Sequence, residues 1–403
     1  VDEVPTVAVI GGGPAGLRAA EVVAAAGLRV MVYEAKPSVG RKFLVAGKGG
    51  LNLTHSEPLE AFVTRYSGPD TPPDFWTRAL EAFGPLDLRK WAEELGVETF
   101  QAGSGRVYPK ALKAAPLLRR WLARLDALGV RIITRHRLSD LAPGDRWRLE
   151  FENGFTAHAD AVILATGGGS WPRTGSDGGW TAILERLGLP LHPLVAANCG
   201  WEHPWPDAVL AMEGQPLKNV HVHANGTSAA GELMITRYGL EGGTIYQLGA
   251  VLREMDNPEI TIDFKPTFTR RELIAKMESV RKNHLEEAVV RWKLSKAMRA
   301  MLSSGDWQDA ASLAEAVKRY PIRLVRPRPL AEAISSAGGV AWAGLDENLM
   351  ARAFPGLFFA GEMIDWEAPT GGYLLQGCFS SGTHSALSAI ACIRSSGLHS
   401  WSI

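Results

Sequence analysis

Apolar positions along this chain come in short buried runs separated by one-sided helical patterns. Residues 7–10 (VAVI) form a run long enough for a buried strand and too short for a helix. Glycines follow at once. An alanine-rich segment from about Pro14 to Ala26 then reads as a helix stopped by Gly27, and residues 30–33 as a second strand ending on Glu34. Residues 161–169 (AVILATGGG) and 356–361 (GLFFAG) repeat the theme of an apolar strand that stops at small residues. Residues 59–125 are expected to be mostly helical, with Trp76, Leu80 and Phe83 recurring at three- and four-residue steps. A loop at 103–110 (GSGRVYPK) interrupts them, and the next helix runs to Leu128 with Gly129 as its stop. Strands are expected at 130–134 and 147–151, with turns at Pro143-Gly144-Asp145 and Asn153-Gly154.

From about Leu191 the pattern changes to short strand-like runs: 220–223, the Asn225-Gly226 turn, 233–236 and 259–263. Thr269 with Glu272 spells a capping box, followed by Leu273, Ile274, Met277 and Val280 at helix spacing. Helical patterns continue through Trp292, Met298, Leu313 and Val317, and Pro321, Pro327 and Pro329 mark the exit. The pattern therefore predicts an α/β unit, a small antiparallel domain and a helical insert of some 50 residues. A chain of 403 residues has room for two or three such domains.

Charge and cysteine content narrow the partners. Lys plus Arg equals Asp plus Glu at 43 each, so no global field draws in nucleic acid or anionic membrane. No apolar run approaches a membrane span, and the opening VDEVPT is unlike a signal peptide. Cys199, Cys378 and Cys392 show no C-x-x-C spacing, which fits reduced thiols, and the expected location is cytoplasmic. His221 and His223 alternate on one strand but lack nearby acids or cysteines, so no metal site is expected.

The chemistry starts in the first glycine cluster. Gly11, Gly13 and Gly16 occupy the G-x-G-x-x-G positions between strand and helix, and Glu34 lies 18 residues beyond Gly16. The tight turn, the close backbone approach and the free helix N-terminus suit a pyrophosphate. The acid suits the hydroxyls of an adenosine ribose and disfavours a 2′-phosphate there. Residues 38–55 (SVGRKFLVAGKGGLNLTH) then form a basic, glycine-rich loop. In it Arg41 offers a planar fork to phosphate, and Lys42 or Lys48 a point charge. Near the C-terminal end, Gly371-Gly372 opens a helix rich in small residues, a second N-terminus placed to meet the negative charge of a reduced flavin. That closing segment favours FAD over a lone NAD.

GGGPAG with Glu34, GRKFLVAGKGGLN, ATGG and GLFFAGEMID…PTGGYLLQ together resemble the BaiN/RdsA-type FAD-dependent oxidoreductases, distant relatives of glutathione-reductase-like flavoproteins. The resemblance covers nearly the whole chain. It implies a discontinuous FAD-binding domain (1–190 and 335–403) interrupted by an antiparallel β-barrel-like substrate domain (191–265 and 320–334), which carries a helical insert (266–319). Non-covalent FAD contacts are implied at Gly11, Gly13, Pro14, Ala15 and Gly16 on the pyrophosphate, and at Glu34, with Ala35 and Lys36 beside it, on the ribose. Arg41 and Lys42 follow along the chain, with Asn52 nearer the flavin. Ala165, Thr166 and Gly167 are implied on the adenosine side, and Gly361, Glu362 and Asp365 on the ribityl–phosphate side. Gly372, Tyr373, Leu374 and Leu375 are implied at the flavin edge, and Leu138 completes the expected contacts. Two departures matter. Gly49-Gly50-Leu51-Asn52 replaces G-R-C-N, so no role of a thiol or arginine carries over. Arg237 and Glu241-Gly242-Gly243 replace T-H and S-G-P, which separates this chain from a shared substrate.

The expected activity passes a hydride through flavin N5, from NAD(P)H as a transient donor to a small organic acceptor. The chain holds one full dinucleotide unit, so the donor would enter the substrate cleft. The alternatives are an oxidase of a small amine using O2, in which Lys42 or Lys48 would stabilise superoxide, and a flavin-bound sensor. Acid–base candidates are Lys48, His55, Tyr108 and Tyr373. A small-molecule substrate is expected, without nucleic acid or membrane.

Overall fold

The computed structural model describes residues 4–47 and 49–395. The chain divides into two compact units, Val1–Val195 with Ser335–Ile403, and Ala196–Ile334.

The first unit is built on five parallel strands. Their spatial order is Leu357–Phe359, Ala161–Leu164, β1 (Thr6–Ile10), β2 (Arg29–Glu34) and Arg131–Thr134. β1 is covered on both faces, which is why its sequence is apolar without alternation. Val7 and Val9 join a core with Leu17, Val23, Phe379 and Ala386 of the flanking helices. Ala8 and Ile10 join a second core with Leu149 and Phe151, from an antiparallel sheet of Leu138–Ala142, Trp147–Phe151 and Thr156–Ala159. Helix α1 (Pro14–Ala25) leaves the strand with Pro14 at its start. A Cβ on Gly16 would lie 2.0 Å from the Gly11 carbonyl oxygen, so only glycine lets the helix pack onto the strand it follows. The final helix, Tyr373–Ser395, crosses α1 equally closely, since a Cβ on Gly382 would stand 2.4 Å from the Ala15 carbonyl oxygen.

Two stretches expected to be loops contain regular structure. Within 38–55 lie a helix, α2 (Arg41–Ala46), and a short strand, β3 (Thr54–His55). Within 103–110, Arg106–Pro109 is a strand; it pairs with Thr54 and His55 on one edge and with Thr99–Gln101 on the other. The glycines at 103 and 105 disguised this strand, because its partners are set by contacts some 50 residues away rather than by local pattern.

The second unit is a curled antiparallel sheet. Six strands lie in the order Trp201–Glu202, Gly239–Glu241, Thr227–Thr236, Pro216–Ala224, Glu259–Asp263 and Tyr320–Arg323. Pro321, expected beyond the insert, lies inside the last strand opposite Thr261. The curl brings the segment after that strand back to the first: Val325 N–H donates to the Glu202 carbonyl at 2.8 Å, and Glu202 N–H to that of Arg326 at 2.9 Å. Val220, Val222, Leu233, Ile235, Ile260 and Ile262 bury one face against helices including Arg270–Ala275, Lys296–Leu302 and Ala310–Lys318. Asn225 and Gly226 both take positive φ, as a tight hairpin turn requires. Thr269 and Glu272 exchange their capping-box hydrogen bonds. Among the described residues no helix is long and apolar enough to cross a membrane.

Candidate functional site

The carboxyl ends of the central strands converge, and the ends of such strands are where ligands of open α/β sheets bind. Gly11, with φ of +111°, passes so close to the next loop that a Cβ would lie 2.3 Å from the Ala165 carbonyl oxygen. Gly13 differs. A Cβ there would meet no protein atom within 4 Å, and no side chain caps the helix it begins. Leu17 N–H is the first of α1 to reach a main-chain carbonyl, that of Gly13. The N–H groups of Ala15 and Gly16 are thus left facing an open approach, behind Pro14, which has none to spare.

Glu34 stands at the end of β2 with its carboxylate held in place. Oε2 accepts from Gly12 N–H at 2.8 Å and Oε1 from Lys36 N–H at 2.7 Å, across Ala35. A neighbouring loop closes on this acid. A Cβ on Gly175 would reach the Lys36 side chain at 3.2 Å, and Arg137 pairs with Asp177 at 2.7 Å. Leu138 begins the strand next to Arg137 and packs in the second core. Gly167, with φ of +75°, accepts from Trp180 Nε1 at 2.8 Å, and Thr166 Oγ1 lies 3.5 Å from Met363 Sδ. Gly175, Arg137, Asp177 and Trp180 were missed from sequence; only Gly175, in a glycine-rich run, carried any local signal.

The 38–55 segment ties to the far end of the chain. Lys42 Nζ donates to Ser170 Oγ at 2.7 Å and to Glu362 Oε2 at 2.9 Å, so the lysine read as a phosphate contact forms an ion pair across the site. Glu362 Oε1 accepts from Ser336 N–H at 2.9 Å. Gly361, with φ of +78°, donates its N–H to Ser381 Oγ at 3.0 Å. Asp365 is buried, and its carboxylate takes the Gly338 N–H at 2.9 Å and the His192 ring. Both oxygens are engaged within the protein. Cys378 lies behind this network, where burial first, and then the Glu362 charge, pushes its thiol up to about 12. It stays protonated at neutral pH.

Opposite, the final helix begins against β3. A Cβ on Gly372 would lie 2.5 Å from the Thr54 carbonyl carbon, which requires glycine there. Tyr373 is buried; its ring stacks on His55 at 5.3 Å between centroids, and its carbonyl accepts from Tyr66 Oη at 2.8 Å. Burial and the hydrogen bond to Glu57 raise its phenol well above the ordinary value, so it serves as a donor and not as a base. Leu374 and Leu375 continue this first turn, each partly buried against a core. His55 Nδ1 accepts from Glu57 N–H at 3.2 Å and its Nε2 faces the Ser104 carbonyl at 3.0 Å. Both ring nitrogens are thus satisfied by main chain. Tyr108 stacks on Phe100 at 5.8 Å and faces Gly50. Lys48 lies outside the described residues.

Four polar atoms on these segments are buried without a partner: Arg41 Nε, Asn52 Oδ1, Thr54 Oγ1 and Gln376 Oε1. Unsatisfied buried groups are costly, and acceptors at 52, 54 and 376 flank the contact between β3 and the final helix. Together with the open Gly13 approach, they fit a dinucleotide laid from Glu34 toward Gly372. Among the described residues no group of three or more His, Cys, Asp and Glu is placed to hold a metal ion.

Comparisons with known proteins agree with this geometry. A family model described as the HI0933-like protein Rossmann domain matches residues 5–388. The 3-dehydro-bile acid delta(4,6)-reductase of Clostridium scindens is 27% identical, over 93% of this chain and 97% of that relative. The ribosomal RNA dihydrouridine synthase of Haemophilus influenzae is 25% identical, over 94% and 97%. In fold, the chain is similar to the 3-ketosteroid-delta4-(5alpha)-dehydrogenase of Rhodococcus jostii RHA1, with a TM-score of 0.51 at 18% identity over 95% of this chain and 96% of that one. The chain therefore belongs to the HI0933-like Rossmann family, the BaiN/RdsA-type flavoproteins whose motifs it carries, and is an FAD-dependent oxidoreductase.

Proposed function

We propose that the protein is a reductase that saturates a carbon–carbon double bond conjugated to a carbonyl in a small ring compound, with NAD(P)H as reductant. The observation that carries this reading is the set of unpartnered buried acceptors at Asn52, Thr54 and Gln376, beside the opening of the final helix, in a chain related over nearly its full length to a 3-dehydro-bile acid reductase. Bound FAD would supply hydride transfer to and from its N5. The α1 N-terminus and Gly13 would hold the pyrophosphate, Glu34 the ribose, and the three acceptors the N–H edge of the flavin ring. The positive end of the Tyr373–Ser395 helix favours charge that develops on reduction. Cys378 stays out of the reaction because its thiol is protonated.

The name of the Haemophilus influenzae relative describes the same kind of bond change in a uracil ring of RNA. The balance of 43 basic and 43 acidic residues favours a small substrate, because RNA phosphates are gripped by excess positive charge. The test is anaerobic. NADH or NADPH should bleach the visible flavin band, and 2-cyclohexen-1-one or a 3-oxo-4-ene steroid should restore it. Failure of either enone to restore the band sinks the reading. Restoration by a uridine-containing RNA alone moves the substrate to nucleic acid, and peroxide release under air without enone turnover favours an oxidase.

A further inference from the structure

Two carboxylates on the turn after the Leu357–Phe359 strand are used in parallel. Glu362 and Asp365 each accept one N–H from the strand Ser335–Val340, at Ser336 and Gly338 respectively, both at 2.9 Å. Residues two apart on a strand point their N–H groups the same way, roughly 7 Å apart. The second oxygen of each acid then holds a side chain with a nitrogen donor. Glu362 holds Lys42, and Asp365 holds Nδ1 of His192. Lys42 belongs to the 38–55 segment of the cofactor site, so His192 stands one strand step further along the same edge.

His192 is held there by close main-chain packing. Gly338 and Gly339 both have positive φ; a Cβ on the first would lie 2.1 Å from the Pro193 carbonyl oxygen, and on the second 2.3 Å from that of Met363. These approaches press the residue next to His192 against the strand and bring Asp365 under the ring. The Asp365 side chain is 3% exposed and that of His192 is 42% exposed. A buried carboxylate that already accepts a main-chain N–H takes the Nδ1 hydrogen of the ring. That contact fixes the tautomer and leaves Nε2 as the free, solvent-reachable nitrogen. A structural histidine would spend both nitrogens inside the protein, as His55 does.

We propose that His192 is the proton donor of the reductive step, with Asp365 as its positioning residue. This rests on the enone-reductase reading above. Two electrons from NAD(P)H reach the β-carbon of the substrate as hydride, forming one C–H bond. The π pair moves onto the α-carbon, which takes the proton from Nε2 and forms the second C–H bond. The imidazolium becomes neutral imidazole with Nδ1–H still on Asp365, and water returns the proton to Nε2.

The test uses full-length FAD-loaded protein and the variants H192Q and D365N. H192Q should bind FAD with wild-type affinity and be bleached by NAD(P)H at the wild-type rate. It should then pass electrons to 2-cyclohexen-1-one or a 3-oxo-4-ene steroid about 100-fold more slowly, partly rescued by added imidazole. A low-field Nδ1–H proton resonance, present in the wild type and lost in both variants, reads the pair without turnover. If H192Q reoxidises within about threefold of wild type, the inference falls and the reductase reading stands. If H192Q loses FAD, or both half-reactions slow together, His192 is structural and the inference also falls. A wild type that reduces neither enone overturns the reading and the inference with it.

Discussion

Glu21 shows how much one side chain can organise. It is buried in the middle of α1, and its carboxylate accepts the indole N–H groups of Trp91 and Trp121 at 3.0 and 2.9 Å and pairs with Arg18 and Arg124. Glu21→Ala would leave two indoles and an arginine unpaired in the core. It should cost about 3 kcal/mol in chemical denaturation, with Glu21→Gln costing less because it keeps an acceptor. His384 makes a second prediction. Burial, the largest cause, holds its imidazole below the ordinary value of 6.5, beside Phe75 and with Nε2 on the Glu347 carbonyl. The folded value lies below the unfolded one, so the stability this group contributes is full above about pH 6.5 and is lost as pH falls through the folded value. His384→Gln should therefore flatten the fall in Tm between about pH 6.5 and 5. An unchanged slope would place the acid sensitivity elsewhere, for example in Glu57, whose carboxyl the Arg65 hydrogen bonds hold below its usual range.

The first strand, turn and helix separate what the fold needs from what the ligand needs. At Gly16 an added methyl collides with the Gly11 carbonyl, so Gly16→Ala should destabilise the protein by about 1–3 kcal/mol whether or not FAD is present. At Gly13 the same methyl meets no protein atom and φ is −83°, which any residue adopts. Gly13→Ala should leave the melting temperature of the apoprotein unchanged and weaken FAD binding by about tenfold, ~1.4 kcal/mol. Equal effects of the two changes on apoprotein stability would show that Gly13 serves the turn and not the ligand. This unit was readable from sequence because all its contacts fall within 30 residues. The sheet joining Thr54–His55 to Arg106–Pro109 was not, because neither segment alternates clearly and each finds its pairing only in the other.

Every residue of the candidate site that the structure describes lies in the first unit. Replacing 196–334 with a short Gly/Ser linker between Val195 and Ser335 should therefore yield a protein that still binds FAD and is reduced by dithionite, but does not turn over an enone. Loss of FAD from such a protein would show that the second unit is needed to complete the cofactor site. The texture of that unit, strands and then helices, was visible in the hydrophobic pattern. Its curl was not, since the main-chain bonds of Glu202 to Val325 and Arg326 join segments more than 120 residues apart.

Local order along the chain was enough to specify the parallel strands, the glycine turn, the acid at Glu34 and the helix opening at Gly372, because strand, turn and helix preferences act over a few residues and each of these features is built from near neighbours. Those features, and the family they resemble, pointed to FAD. The pairing of Lys42 with Glu362, of His192 with Asp365 and of Arg137 with Asp177 joins residues 320, 173 and 40 positions apart. Such partners are chosen by how sheets and helices pack, and a charged residue in a sequence carries no mark of which distant one it will meet. The glycine motif anchors the cofactor; the placement of the proton chemistry came from the folded chain.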